Sequence, residues 1–324
     1  MIVDWLDAAV AAAASEQAMP MTLVPEKVPG RVLNLDGDYL AYFMAGNDDT
    51  DIGTARRNSI QRISNFMEMA GCTKCVMNLT ATGSTKADRW LIGTTRPYQG
   101  QRSGAKPKNW QGLRDFFESY QGDAFKPRLW WDREADDGMA MLQHYQVAND
   151  KQELIVTATR DKDMRQYPGW HINWVSYLMT WVEPGAFEVI GADGLLYGHK
   201  WFWQQTLQGD GVDNIPGLEA YRKDNGLIGK MGEKTAEKYL AKATNDQEAF
   251  DAVAKLYEGY YGDVWACRLL EQMELLWLRR GTDPGLGDWM NHLKIDTAWA
   301  KVPMMMLRQR VANCKSEVEA LCRS

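Results

Sequence analysis

The stretch VLNLDGD, residues 32–38, is an apolar run that ends in an acidic turn. The same order recurs in LIVTATRDKD, residues 154–163. Apolar runs of this kind predict buried β-strands, so Asp36 in the first stretch and Asp161 and Asp163 in the second fall at strand ends. Because open α/β sheets bind ligands at the carboxyl ends of their strands, we expect these carboxylates at one edge of a sheet.

Strand and helix patterns alternate along the first two thirds of the chain and become helical after about residue 200. Strands are predicted near 31–36, 75–80, 154–159, 171–176 and 187–190, and helices after residue 36, near 55–70 and near 135–148. This order indicates an α/β fold with a mostly parallel sheet and flanking helices. The predicted parts are an N-terminal extension at 1–30, an α/β core at 31–198 and a helical region at 199–324.

Two further acidic clusters, READDGM at 133–139 and QGDGVDN at 208–214, complete a set of four. The eight carboxylates are Asp36, Glu134, Asp136, Asp137, Asp161, Asp163, Asp210 and Asp213. Helix capping accounts for one or two acids of READDGM, and a polar turn accounts for the pair in TRDKD if it stood alone. Together they carry too much negative charge for one site without cations, and oxygen ligands suit magnesium or manganese. The working hypothesis is a phosphodiester hydrolase that uses two Mg²⁺ (or Mn²⁺) ions.

The net charge of −6 hides a strongly basic segment at residues 86–114, in which Asp88 stands against seven Lys and Arg residues. The segment also contains Trp90, Tyr98 and Trp110 among glycines. A charge run of this kind is often only a solvated loop. Its place between two acidic clusters favours a mobile loop that meets phosphates with charge and bases with aromatic rings. Downstream, GLIGKMGEKTA at 226–236 predicts a hairpin that ends at a helix N-terminus, where backbone amides face a phosphate.

Cysteine usage and hydropathy indicate where the protein works. The five cysteines are scattered, which fits a reducing cytoplasm, and the Cys72 and Cys75 pair has no second pair with which to bind zinc. The alanine-rich run near the N-terminus lacks the basic segment of a signal peptide. No apolar stretch approaches the roughly 20 residues of a membrane span. We therefore expect a cytoplasmic protein with no membrane partner.

The ordered set of motifs resembles the 5′-nuclease family, which includes flap endonucleases and phage 5′-to-3′ exonucleases. EADD at 134–137 matches the family literally, and GDGVDNIPG at 209–217 closely matches GDxxDNIPG. LDGDYL resembles the first-strand aspartate motif, YQGQR at 98–102 resembles YKxxR, TRDKD resembles S-x-D-x-D, and GKMGEKTA resembles the helix-hairpin-helix G-I-G-P-K-T-A. The likeness covers residues 31 to about 240 and is greatest to phage replication exonucleases.

The resemblance implies a PIN-like 5′-nuclease fold and a metal-dependent 5′-to-3′ exonuclease of phage-type DNA replication. Its substrates would be duplex or flapped DNA with a 5′ end and RNA–DNA hybrids, so flap cleavage and RNA primer removal are further expected activities. Replication proteins would be its other partners. The basic segment would form an arch over the metals, and a helix-hairpin-helix at 217–240 would bind duplex DNA, with one K⁺ ion. The implied phosphate-contacting residues are Arg96, Arg102 and Lys106. The implied DNA-binding residues are Arg89, Lys108, Gly229, Lys230, Gly232, Lys234 and Thr235.

The chain departs from the family pattern at three positions. Gln99 stands where YKxxR has lysine, so Arg96, Lys106 or Lys108 would have to supply that positive charge. Thr82 falls where the family has an aspartate after its second strand, with Asp88 as a candidate substitute. Lys230 stands where glycine is usual in the hairpin. Two alternatives follow, a structure-specific DNA-binding protein with weakened catalysis and a PIN-like ribonuclease.

Overall fold

The computed structural model describes residues 25–102, 104–223 and 225–323. Most of the predicted N-terminal extension, at 1–24, lies outside the described residues. In the described part the strands of the large sheet precede residue 183, and helices predominate from His199 onward.

A six-stranded sheet forms the centre of the α/β core, with strand order β3-β2-β1-β4-β5-β6. All neighbouring strands are parallel except β5 and β6, which are antiparallel. The strands are β1 (Val32–Asp36), β2 (Lys74–Thr80), β3 (Lys126–Trp130), β4 (Ile155–Ala158), β5 (Gly169–Ile172) and β6 (Met179–Val182). The predicted α/β fold with a mostly parallel sheet is confirmed.

The two strands that the sequence marked most clearly lie side by side in the middle of this sheet. Leu33 of β1 pairs with Val156 of β4 on one side and with Cys75 of β2 on the other. All three side chains are buried, because helices cover both faces of a parallel sheet. The edge strand β3 was not predicted, and Pro127 explains why, since proline is tolerated in a strand mainly at a sheet edge.

Five helices belong to the α/β half of the chain. They are α1 (Gly37–Phe43), α2 (Ile52–Met69), α3 (Arg89–Ile92), α4 (Trp110–Glu118) and α5 (Ala135–Ala148). Helix α5 lies against the sheet so closely that a Cβ added at Gly138 would be 2.0 Å from the Trp130 ring. A glycine is therefore required where α5, which carries part of the acidic set, crosses β3.

The helical region contains α6 (His199–Gln208), α7 (Glu233–Leu240), α8 (Asp246–Tyr261), α9 (Trp265–Leu276) and α10 (Lys301–Arg323). Its hydrophobic core includes Trp203, Trp277 and Trp289, which are fully buried. Leu91 and Ile92 of α3 pack into the same core. The basic segment is thus anchored in the helical region at one end and, through α4, against the sheet at the other.

Short antiparallel ribbons account for the remaining strands. The strand predicted at 187–190 is β7 (Val189–Ile190), which pairs with β8 (Leu196–Tyr197). A second ribbon, β9 (Ala220–Arg222) with β10 (Ile228–Lys230), fills the first part of the predicted helix-hairpin-helix at 217–240. The hairpin in this range is therefore a β-ribbon; α6 ends before the range, and α7 forms its last part. Glycine and asparagine at its turn favour a ribbon over a helix.

Candidate active site

The strand order creates a crevice at the point where β1 and β4 lie adjacent. From β1 the chain proceeds through β2 to β3 on one side, and from β4 to β5 on the other, which is the topological switch point of an open sheet. Asp36 is the last residue of β1, and Asp161 follows β4 by three residues. Thr159 connects the two strand ends, because its hydroxyl donates to Asp36 Oδ2 at 2.7 Å.

The EADD segment enters this crevice at the start of α5. Glu134 is the N-cap residue, and it forms a reciprocal capping pair with Asp137, whose Oδ2 accepts the Glu134 backbone amide at 3.3 Å. Capping therefore accounts for two of the three acids. Asp136, in the first turn, accepts only the backbone amide of Asp137 among the described contacts, at 2.7 Å, so its carboxylate is open for a further partner.

Asp137 is fully buried and is paired with Arg89. The two guanidinium nitrogens of Arg89 donate to Asp137 Oδ2 at 2.5 Å and Oδ1 at 2.7 Å, and the Arg279 amide donates to Oδ1 at 2.8 Å. Arg89 also donates to the carbonyls of Leu275 and Trp277 and is 1% exposed. The expectation that Arg89 binds DNA is wrong for this conformation, because its guanidinium lies in the protein interior. Asp137 is correspondingly a fixed support for the acidic set.

The third and fourth acidic segments converge on one point. One oxygen each from Asp163, Asp210 and Asp213 lies within 4.8 Å of the others. Lys162 reaches into this group, with Nζ 2.6 Å from Asp210 Oδ2. The Gln205 side chain of α6 donates to Asp163. Neither Lys162 nor Gln205 was predicted as a site residue; the one signal in the sequence is the position of Lys162 between two aspartates.

Side chains of the basic segment contact two of the acidic segments at once. The Tyr98 hydroxyl is 2.6 Å from Glu134 Oε2 and 3.0 Å from Asp213 Oδ2. The Gln99 side-chain amide donates to Glu134 Oε1 at 3.0 Å and to Asp213 Oδ1 at 3.2 Å. Arg102 forms an ion pair with Asp213. YQGQR therefore bridges the EADD segment to the QGDGVDN segment.

The pKa shifts show how much negative charge is gathered here. Burial raises the pKa of Asp36, and burial followed by neighbouring carboxylates raises the pKa of Asp136 and Asp163 well above 3.8. Burial is also the main cause that raises the pKa of Asp161 and of Asp213 to about 6. Asp137 shows the opposite direction, because the Arg89 guanidinium lowers its pKa against the effect of burial.

This donor set fits divalent magnesium or manganese. Its ligands are carboxylate oxygens, which such hard cations prefer, and the raised pKa values mark charge that a cation would relieve. In the protein chain itself, Lys162 serves as a counter-charge for the Asp163, Asp210 and Asp213 group. The charges of Glu134 and Asp161 contribute to the raised pKa of Asp136, and those of Asp36 and Asp210 contribute to the raised pKa of Asp161, so the predicted carboxylates lie around one site.

The other predicted phosphate-contacting residues occupy different places. Arg96 forms an ion pair with Glu219, next to the β9–β10 ribbon. The Lys106 ammonium lies 3.3 Å from the centre of the Trp110 ring. Lys108 donates to the Asp48 carbonyl at 2.7 Å, so it contacts the loop after α1 rather than an acidic segment.

The hairpin residues predicted to bind DNA follow one another on the ribbon and α7. Lys230 and Lys234 are exposed, whereas Gly229, the middle residue of β10, is buried. Gly232 is the N-cap residue of α7, and Thr235 lies in the first turn of that helix.

The position where the family has an aspartate after its second strand is filled differently. Asp88 forms an ion pair with Lys315 of α10 at 2.6 Å, so it does not join the acidic set. At the end of β2 the Thr80 amide donates to Asp38 Oδ2 at 3.1 Å, and Asp38 is paired with Arg114. The expected substitution of Asp88 is therefore wrong.

Three solved structures of bacteriophage T5 proteins are similar to this chain. The T5 D15 protein co-crystallised with metal ions is 14% identical, with a TM-score of 0.52, over 86% of this chain and 99% of that one. A T5 5′-exonuclease mutant is 13% identical with a TM-score of 0.49, over 86% and 99% of the two chains. A T5 D15 flap endonuclease in a pseudo-enzyme-product complex with DNA and metal ions is 14% identical with a TM-score of 0.49, over 89% and 99%.

No protein-family model and no curated protein matches the chain. At 14% identity the T5 D15 match shows the fold, and it confirms the resemblance to phage 5′-nucleases at that level. The chain has a 5′-nuclease fold of the phage type. Among the described residues, no helix is long and apolar enough to cross a membrane.

Proposed function

We propose that the protein is a divalent-metal-dependent 5′ nuclease that hydrolyses phosphodiesters from the 5′ ends of duplex DNA. The observation that carries this proposal is the convergence of carboxylates from four separate segments at the switch point of the sheet. Their raised pKa values favour a site that is completed by cations. A DNA-binding protein without catalysis has no use for this much buried negative charge near phosphates.

The metal ligands are divided between two sides of the crevice. Asp36, Glu134 and Asp136 would hold an ion on one side, and Asp161, Asp163, Asp210 and Asp213 would hold one on the other. Asp137 acts on the first side through the α5 cap and Arg89. Bound Mg²⁺ or Mn²⁺ would supply Lewis acidity and charge neutralisation at the phosphate. Arg102 is placed to contact the same phosphate once Asp213 is engaged by a cation.

Duplex DNA would lie between the basic segment at 86–114 and the ribbon with α7. Lys230, Lys234 and Thr235 are grouped where the α7 N-terminus offers backbone amides, which suits one strand of a duplex and a K⁺ ion beside it. Arg96, Lys106 and Lys108 give the basic segment its positive charge. In this arrangement residues 31–198 supply most of the metal ligands, and residues 199–324 supply Asp210 and Asp213 and bind the duplex, in a replication role that includes flaps and RNA primers.

The first test is digestion of a duplex labelled at one 5′ end, in magnesium and in EDTA. Wild type should release short 5′ products in magnesium alone, and Asp136→Ala should release none, because it removes an open carboxylate of the crevice. An exposed acid on α8, changed as Asp251→Ala, is the matched control and should cut like wild type. Equal cutting by Asp136→Ala would refute the assignment.

The second candidate is a structure-specific DNA-binding protein. It is favoured by basic side chains that form ion pairs with carboxylates of the crevice. Lys162 pairs with Asp210 and Arg102 pairs with Asp213, and both carboxylates are metal ligands in the first proposal. Binding of a flapped duplex without cleavage in magnesium or manganese would support this candidate. Faster cleavage of single-stranded RNA than of duplex ends would instead support a PIN-like ribonuclease.

A further inference from the structure

We propose that Lys86 is the active-site cation that contacts the substrate phosphodiester, in place of the lysine that Gln99 replaces. This inference rests on the nuclease function proposed above. It differs from the sequence expectation, which looked to Arg96, Lys106 or Lys108 for that charge. Those three residues contact Glu219, Trp110 and Asp48 respectively.

The Lys86 ammonium lies at the mouth of the acidic crevice. Its Nζ is 2.6 Å from the Gln99 side-chain oxygen and 3.3 Å from Glu134 Oε1. The same Gln99 side chain donates to both Glu134 and Asp213, so its oxygen is directed toward Lys86. With 34% of its side chain exposed, Lys86 is open to a ligand that enters from solvent.

An unusual backbone turn holds Lys86 in this place. Lys86, Ala87 and Asp88 have φ of 52°, 51° and 60°, three consecutive left-handed residues without a glycine. Such backbone is costly for residues with a Cβ and persists only where the surroundings hold it. A lysine in an ordinary surface loop needs no such conformation.

The supports of this turn come from the segment that leads into EADD. The Thr85 amide donates to the Trp131 carbonyl at 2.9 Å, and the Ala87 amide donates to the Asp132 carbonyl at 3.0 Å. The Ser84 hydroxyl donates to the Arg133 carbonyl at 2.8 Å. Three consecutive carbonyls before Glu134 thus fix the position of Lys86 relative to that carboxylate.

Glu134 and a phosphate would use the same ammonium at different times. Lys86 forms an ion pair with Glu134, so a divalent cation and Lys86 would compete for this carboxylate. With a divalent cation bound at Glu134, repulsion between like charges would weaken the Lys86 ion pair, and the ammonium would be available to a phosphate oxygen. Gln99 cannot serve in this way, because its amide carries no charge.

The test measures cation binding and DNA processing separately in Lys86→Met. Mn²⁺ binding to the DNA-free protein, followed by electron paramagnetic resonance, should tighten about 2- to 5-fold because a competing, partly exposed ion pair is lost. Magnesium-dependent cleavage should fall about 100-fold, the usual cost of removing one charged contact to the reacting group. Lys126→Met, at the opposite end of the sheet, is the matched control and should change neither quantity.

Tighter Mn²⁺ binding together with slower cleavage in Lys86→Met separates a phosphate-contacting role from a structural one. Weaker Mn²⁺ binding together with slower cleavage would mean that Lys86 only supports the fold, and unchanged cleavage would equally overturn the proposal. The double variant Lys86→Gln with Gln99→Lys moves the charge to the neighbouring side chain and should regain at least 10-fold over Lys86→Gln alone. No gain would count against a cation requirement at this point.

A separate measurement distinguishes failure of the nuclease function from failure of this inference. If wild type cleaves no DNA, the nuclease function is refuted, and the Lys86 contact is then judged by anisotropy of a labelled flapped duplex in Ca²⁺. Lys86→Met should weaken this binding at least 3-fold relative to Lys126→Met. Equal affinities would overturn the phosphate contact independently of cleavage.

Discussion

The Asp213 carboxylate is expected to destabilise the ion-free protein at neutral and alkaline pH. Burial, followed by the charge of Glu134, raises its pKa from 3.8 to about 6, while Arg102 acts in the opposite direction. The folded protein therefore binds this proton more tightly than the unfolded chain does. The resulting stabilisation is complete below pH 4 and is lost as the pH rises through about 6.

The size of this effect follows from the pKa shift. A shift of about 2 units at roughly 1.4 kcal/mol per unit amounts to about 3 kcal/mol at pH 8. Asp213→Asn keeps the shape of the side chain and removes its charge. Because the hydrogen bonds from Tyr98 and Gln99 are weaker to a neutral oxygen, the gain should be about 1 to 3 kcal/mol in the free energy of unfolding.

The assay is urea unfolding in EDTA at pH 8 and pH 4.5, followed by the fluorescence of the fourteen tryptophans. Asp213→Asn should be more stable than wild type at pH 8, and the difference should shrink at pH 4.5. The exposed Asp263, changed to Asn, should match wild type at both pH values. The electrostatic reasoning would be refuted if Asp213→Asn were no more stable than wild type at pH 8. It would also be refuted if the variant exceeded wild type by the same free energy at pH 8 and at pH 4.5.

Three further changes test other parts of the structure. Arg89→Met should lower the free energy of unfolding by about 3 to 5 kcal/mol, because it leaves the Asp137 charge buried and unpaired. Arg128→Met, at an exposed site, should lower it by less than about 1 kcal/mol. Thermal melts of both variants measure the difference. Gly138→Ala should cost at least about 1 to 3 kcal/mol because its methyl group overlaps an indole ring, while Gly259→Ala, in an open helical position, should raise the melting temperature slightly. Removal of divalent ions with EDTA should lower the melting temperature of wild type, and added magnesium should restore it, whereas a melting temperature indifferent to magnesium would argue against the cation site.

The sequence predicted the centre of the fold because the strongest patterns coincide with the most buried strands. Leu33 and Val156 belong to continuous apolar runs, and both lie in central strands covered on two sides. The carboxylates were found for the same reason, since Asp36 and Asp161 follow those runs directly. Order along the chain and burial together therefore located the crevice.

Other features depend on tertiary contacts that leave little local signal. Arg89 reads as one more charge in a basic segment, and only the packing of α3 on the helical region places it against Asp137. Lys86 was hidden in the same segment, because its role depends on a left-handed turn held by the carbonyls before Glu134. The β9–β10 ribbon occupies the place of the hairpin that the family resemblance implied. Glycine and asparagine at its turn favour a ribbon over a helix, and the resemblance gave no sign of this.

The anchoring of Arg89 also bears on the point during synthesis at which the crevice is completed. Arg89 reaches the carbonyls of Leu275 and Trp277, and the Arg279 amide reaches Asp137. A nascent chain that has emerged only as far as the QGDGVDN segment contains every acidic motif, yet it lacks these supports. We expect the crevice to take its final form only after residue 279 has left the ribosome, so that an incomplete chain would lack the nuclease activity proposed above.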